Sequence, residues 1–338
     1  MTLTEGASRV VAYALYAPSL TKHKNDMMRL NAHCLRLTLL LSAFLIVASC
    51  NDDTSETYDL TVNDNQNGTN IVKEATRLEM PKLKGDGTIV LVHSTTHKEG
   101  VNYTVEWDVE KKAQRWTAYR IHKGQTGSVS GSSSFTEDPD LPSYARVSSS
   151  SSYYSGSGFD RGHICASADR QYSTTANRQT YYYTNMQPQY HMFNAGPRLA
   201  NGDQDWSKKS PWLQLEEKVR SWGRSSGCDT LYVVKGGTIE DGKLLITSSY
   251  PKGKIKGELP IPKYFFVALL MKPAKSDYRA IGFWIEHDAI DHSGDALSKY
   301  VKSIDELEAL TDIDFFCNLP DATENKVEKA LAPAQWGL

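Results

Sequence analysis

The residues best suited to chemistry lie in Asp160-Arg161-Gly162-His163. A neutral imidazole near pH 7 is a fitting general base, and His163 on a tight Gly-His step can present one. Arg161, two positions earlier, supplies a non-titrating cation whose planar fork matches a phosphate. About thirty residues later, Asn185-Met186-Gln187-Pro188-Gln189 runs on to Asn194. The Asn194 carboxamide is a neutral oxygen donor, compatible with a hard cation that keeps most of its waters. Each feature alone has a plainer reading. A lone histidine also serves as a core or surface residue, and Asn194 could be a helix cap. Lys208-Lys209 could touch a backbone phosphate or simply be solvated. Cys165, next to His163 but one, makes a poor Cys-His nucleophile because such pairs normally join separate elements. Zinc is also poorly served, for the chain has no His-Glu-x-x-His and no Cys-x-x-Cys.

Positioning these residues requires strands and at least one good helix. Val101, Tyr103, Val105, Trp107 and Val109 alternate with polar residues, predicting a strand with one buried and one wet face. Glu110–Gln114 turns the chain, and Arg115–Ile121 returns as an antiparallel partner carrying Arg120. Residues 124–158, rich in Gly and Ser with Pro139 and Pro142, predict a long surface loop leading into Asp160. Tyr181–Met186 predicts another strand. Ser210 and Pro211 suit the N-cap and first position of a helix whose apolar stripe is Trp212, Leu215, Val219 and Trp222. Glu216 and Arg220 share an adjacent face of it. Tyr264–Met271 predicts a central strand, and Ser303–Glu306 a capping box before a short helix. The sum is α+β, with antiparallel strands and a few helices.

The ends of the chain are of a different character. Residues 1–26 lack pattern, and Met27 or Met28 would make a more typical start, so this stretch is expected to be a mis-assigned start or a leader. Arg29 and Arg36 precede the twelve-residue apolar run 37–48, which is short for a membrane span and ends in Val47-Ala48-Ser49-Cys50. Small residues directly before a cysteine resemble the processing site of bacterial lipoproteins. Residues 27–50 are therefore expected to be a lipoprotein signal peptide with Cys50 lipidated, placing the protein outside the cytoplasm on a membrane anchor. Residues 51–84, rich in Asn, Asp and Thr, predict a flexible tether, and 331–338 a C-terminal tail. Net charge is −2 overall, +3 over residues 1–50 and −5 over the rest. This excludes a surface coated in positive charge, although not a local basic cleft. Cys165, Cys228 and Cys317 allow one bridge in three pairings, among which spacing does not choose.

Taken together, Asp160-Arg161-Gly162-His163, Asn185-x-x-Pro188-Gln189-x-x-x-x-Asn194 and Trp212-x-x-Leu215-Glu216-x-x-x-Arg220 resemble the DNA/RNA non-specific endonuclease family, with its ββα-metal (His-Me finger) fold. The resemblance implies a nuclease domain over residues 85–330 with an antiparallel central sheet and flanking helices. It implies a Mg2+-dependent phosphodiesterase acting on DNA and RNA, with Mn2+ or Ca2+ as substitutes, and 5′-phosphate products. In its terms His163 is the general base, Asn194 the metal ligand and Glu216 the acid that holds metal-bound water. Arg161 and Arg220 lie beside the scissile phosphate, Asn185 supports the site, and Arg120 is a further phosphate-side arginine. Lys208 and Lys209 are candidate substrate contacts. Asp160 is a structural partner of its strand. The chain departs from the family in spacing. There the Asn and Glu stand about two turns apart on one helix, whereas Asn194 and Glu216 are 22 residues apart, across Gly196, Pro197 and Gly202. The insertion must loop out for the metal geometry to survive. The alternative is an impaired nuclease-fold lipoprotein that only binds nucleic acid or another polyanion.

Overall fold

A computed structural model describes residues 61–131, 134–147 and 150–338. The strands are β1 (Thr88–Ser94), β2 (Val101–Asp108), β3 (Ala113–Ile121), β4 (Asp160–His163), β5 (Met186–Gln189), β6 (Cys228–Gly237), β7 (Lys254–Ile255), β8 (Leu259–Pro260), β9 (Tyr264–Pro273), β10 (Arg279–Glu286) and β11 (Val301–Lys302). The helices are α1 (Ser150–Tyr154), α2 (Thr174–Gln179), α3 (His191–Asn194), α4 (Pro211–Arg224), α5 (Ile304–Thr311) and α6 (Asp321–Glu328). The fold is α+β. Seven strands form one antiparallel sheet in the order β1-β2-β3-β6-β9-β10-β11, and β4 pairs with β5 separately.

Both faces of the sheet are covered, which explains the unbroken apolar run in β9. Phe265, Val267, Leu269 and Met271 join one core with Trp212, Leu215 and Val219 of α4. Phe266, Ala268 and Leu270 join a second core with Ile304, Leu307 and Val327 from α5 and α6. Period-2 alternation sends neighbouring side chains to opposite faces. In β9 neither face is wet, so nothing calls for polar residues at alternate positions.

The same double burial corrects the reading of β2. Its polar residues are not wet, for Asn102, Thr104, Glu106 and Asp108 are all buried. Glu106 pairs with Arg115 and also accepts hydrogen bonds from the Lys84 backbone at 2.8 Å and the Thr88 hydroxyl at 3.1 Å. Part of that cover comes from the segment expected to be a tether. Residues 61–84 pack onto the domain: Met80 is fully buried, and Asn67 donates to the Ala75 and Pro81 carbonyls at 3.2 and 2.9 Å. Asparagine side chains here replace an absent backbone ladder, and so the segment lacks apolar periodicity yet is ordered. The expected tail is packed too, with Trp336 buried edge-on against Trp222 at 5.1 Å between ring centres. Within 124–158, Leu141, Ala145, Val147, Tyr153 and Tyr154 are buried and α1 forms, so this stretch is not only a surface loop. Tyr183–Asn185 is a 3-10 turn, and its strand begins only at Met186. Residues 1–60, with the expected leader, the apolar run and Cys50, lie outside the described residues. Cys165, Cys228 and Cys317 are free and buried.

Candidate active site

The strand β4 lies antiparallel to β5, with His163 opposite Met186 and Asp160 opposite Gln189. Gly162 sits where a Cβ would fall 2.2 Å from the Gln189 side chain, so only glycine lets β4 approach so closely. Asn185 anchors the chain immediately after the histidine. Its oxygen accepts from the Cys165 N–H at 2.8 Å, and its amide donates to the Cys165 and Thr180 carbonyls at 3.0 and 2.8 Å. Tyr181 packs edge-on against the His163 ring at 4.7 Å, with Phe135 at 5.8 Å. His163 Nε2 is buried without a hydrogen-bond partner among the described residues. Burial, reinforced by the like charge of Lys235, lowers the imidazole pKa to about 4, leaving it neutral at pH 7. Arg161 lies over the Phe135 ring at 5.0 Å and near Tyr154 at 5.5 Å.

At the start of β4, the Asp160 carboxylate accepts from the Asn194 amide at 3.1 Å and meets His191 Nδ1 at 2.8 Å. Asp160 thus orients the Asn194 carboxamide. On α4, capped by the Ser210 hydroxyl, Glu216 pairs with Lys235 at 2.6 Å, and the Lys235 ammonium stands 4.2 Å from the Trp212 ring centre. Burial raises the Glu216 pKa while Lys235 opposes the shift. Arg220 donates to Asp169 at 2.8 Å, and the other oxygen of Asp169 accepts from the Tyr119 hydroxyl at 3.1 Å.

The insertion between Asn194 and Glu216 is closed at its base. Ser210 N–H donates to the Ala195 carbonyl at 3.1 Å, so the helix interrupted after Asn194 is resumed at Ser210. Gly196, at φ +112°, makes this possible, because a Cβ there would lie 2.5 Å from the Lys208 carbonyl. Within the loop, Leu199 donates to Asp203 at 2.8 Å, and Gln204 holds His191 Nε2 at 2.9 Å. The chain therefore leaves and returns beside Asn194 without displacing α4 from α3.

Three expected residues fall elsewhere. Arg120 belongs to the opposite face of β3 from Tyr119: it pairs across the strand with Tyr232 and lies 3.6 Å from Glu79. Its backbone carbonyl, not its guanidinium, serves this region, by accepting from Arg170 at 3.1 Å. Lys209 is bound to Glu217 at 2.7 Å, while Lys208 is exposed on the loop. Lys235 and Asp169, which hold Glu216 and Arg220, lie outside the sequence motifs. A lysine within Leu231-Tyr232-Val233-Val234-Lys235-Gly236 was a readable signal, since a buried charge needs a partner. Asp169 carried no such signal.

Among the described residues, two groups bring ligand atoms of three His, Asp or Glu residues within 4.8 Å of one another: His93, Asp138 and Asp140, and Asp305, Glu308 and Glu328. The nitrogen and carboxylate donors of the first suit a divalent ion. His93 lies 3.1 Å from Asp138, which burial raises but His93 and Thr184 bring below the usual carboxylate range.

The family of DNA/RNA non-specific endonucleases matches residues 90–322. A nuclease of Nostoc sp. is 30% identical over 235 residues, covering 67% of this chain and 75% of its own. Nuclease C1 of Cunninghamella echinulata is 27% identical, with 67% and 84% covered. The mitochondrial endonuclease G of Bos taurus is 26% identical, with 66% and 69% covered. A chain of the EndoG/EndoGI complex shares the fold at a TM-score of 0.51 and 18% identity, covering 68% of this chain and 87% of that one. These likenesses correct the expectation of an exported, membrane-anchored lipoprotein. What they support is a nuclease domain like EndoG, and among the described residues no helix is long and apolar enough to cross a membrane. The chain is a metal-dependent, phosphodiester-hydrolysing nuclease, and it belongs to the DNA/RNA non-specific endonuclease family.

Proposed function

We propose that the chain is a Mg2+-dependent endonuclease that cuts both DNA and RNA and leaves 5′-phosphate ends. The observation that carries this reading is the closed base of the insertion, Ala195 to Ser210, which keeps Asn194 of α3 beside the helix bearing Glu216 and Arg220. His163, neutral at pH 7, takes the proton of the attacking water at Nε2 as the new P–O bond forms and the P–O3′ bond breaks, and the leaving O3′ takes a proton from water. Arg161 and Arg220 face the charge that grows on the phosphate; Asp169 fixes the direction of Arg220 and aromatic rings fix that of Arg161. Asn194, its amide nitrogen engaged by Asp160, presents its oxygen as a neutral donor, a chemistry suited to Mg2+, with Mn2+ or Ca2+ as substitutes. An ion held by Asn194 would supply Lewis-acid stabilisation of charge on the scissile phosphate. Glu216, held by Lys235, accepts hydrogen bonds from water around that position. Asn185 keeps His163 in place through three hydrogen bonds. Lys208, exposed on the insertion near Asp205 and Asp291, is the lysine of the pair left to meet a backbone phosphate of the substrate.

Digestion of plasmid DNA and of RNA with Mg2+, and with chelator, tests the reading. His163→Ala is expected to lower turnover by about 10²–10⁴, and Asn194→Ala to raise the Mg2+ needed for half-maximal rate. Wild type leaving both substrates intact across several divalent ions would sink the substrate assignment. His163→Ala cutting as fast as wild type would remove His163 as the base.

A further inference from the structure

On the face of the sheet opposite the nuclease site, α5 and α6 bring carboxylates together without a counter-charge. Carboxylate oxygens of Asp305, Glu308 and Glu328 lie within 4.8 Å of one another. Asp305 and Glu308, three residues apart on α5, share a helix face directed at the end of α6. None of the three has an ion-pair partner among the described residues: Lys302 lies near Glu306 at 3.8 Å, Lys326 is with Asp277 at 3.1 Å, and Lys329, next to Glu328, is exposed. Lys82 donates to the Gln66 carbonyl at 2.9 Å and also to that of Asn65.

Glu328 makes this more than an acidic surface. It is 7% exposed, and its Oε1 is buried with no hydrogen-bond partner among the described residues. It is also the last residue of α6, where the helix dipole disfavours an anion. As an anion, a buried Glu328 with no partner for Oε1, at a helix C-terminus and facing two other carboxyl groups, costs free energy on each of those counts. A cation relieves all of them at once, in exchange for the protons that otherwise neutralise these groups. Oxygen-only donors select a hard ion, and ligand oxygens around an ion held at about 2.3–2.6 Å stand up to about 5 Å apart. Glu308 also lines an open groove of mixed cationic and acidic side chains, so this acid is within reach of solvent.

We propose that Asp305, Glu308 and Glu328 form a structural site for a divalent cation of the Ca2+ type, which staples α5 to α6 and is distinct from the catalytic metal. The test is thermal unfolding of the full chain, stripped with chelator and then titrated with Ca2+, for wild type, Asn194→Ala, Glu328→Gln and Glu308→Gln. Saturating Ca2+ is expected to raise the midpoint by about 5 °C in wild type and in Asn194→Ala. The rise should vanish in Glu328→Gln and Glu308→Gln, and Glu328→Gln should melt above wild type when no cation is present. A shift absent from wild type and Asn194→Ala, or one retained in both glutamine variants, would overturn the proposal. Should Glu328→Gln not fold, Glu308→Gln and Asp305→Asn decide it, since they lie nearer solvent and leave the buried position untouched.

Discussion

Two regions of this molecule bury carboxylates, and they treat them differently. On the nuclease side the two acids beside α4 have cations in contact, Asp169 with Arg220 at 2.8 Å and Glu216 with Lys235 at 2.6 Å. On the α5–α6 side Glu328 faces Glu308, Glu324, Asp314 and Asp305, and burial with those like charges pushes its pKa up to about 10. The first region is internally compensated and stands ready to receive an anionic substrate. The second is incomplete without a proton or a cation. Buried charge by itself therefore says little about stability; what decides the sign is whether a partner is built in.

The sharpest way to break the comparison is to remove a built-in partner. Lys235→Met leaves Glu216 buried and unpaired, and should cost about 3–5 kcal/mol of stability in chemical denaturation. A loss below about 1 kcal/mol would mean that Glu216 is not dependent on Lys235.

The pH dependence of stability comes next. Burial raises Glu308 to about 8 and Glu324 to about 7, alongside Glu328. These folded pKa values exceed the unfolded one, so the native state holds more protons between them. Their stabilising contribution is complete below about pH 4.5, and it is lost as pH rises through about 7 and beyond. Cation-free protein should accordingly melt progressively lower from pH 5 to pH 9, and added Ca2+ should flatten the curve. A melting point independent of pH in chelator would contradict the uncompensated reading of this region.

The nuclease side has its own pH signature. With His163 lowered to about 4, kcat/KM should rise with pH up to about 4 and be level through neutrality, rather than breaking near 6.5 as an ordinary histidine would. In Lys235→Met, where a like charge is gone, that acid limb should move upward. An unmoved limb would disconnect Lys235 from the base.

The smallest effect is expected at the insertion. Replacing only the tip, residues 199–203, by a short turn that keeps Arg198, Gln204, Lys208 and the Ala195–Ser210 hydrogen bond should change turnover by less than about twofold, because the tip closes on itself before reaching α4.

Much of the site could be read in advance because its chemistry is local. His163, Arg161 and Gly162 sit within one four-residue strand, and Glu216 with Arg220 follows helix periodicity. What could not be read depends on which elements meet. Strand alternation assigns Arg120 to a face of β3 but does not say which face carries the site. Lys235 and Asp169 reach α4 from a central strand and from the turn after β4, a convergence that no spacing encodes. The sequence between 61 and 84 seemed unstructured by composition because its order comes from asparagine hydrogen bonds and not from apolar stripes. The twenty-two residues separating Asn194 from Glu216 posed a question about path, and one backbone hydrogen bond answers it.

That bond at Ala195 and Ser210 has a practical consequence. Because the loop's two ends are joined to each other, a cut between Asn201 and Asp203, both exposed at its tip, would leave the flanking helices tied together. The position is thus a natural seam for splitting the chain into two fragments, or for carrying an inserted domain or label, with the nuclease centre left whole.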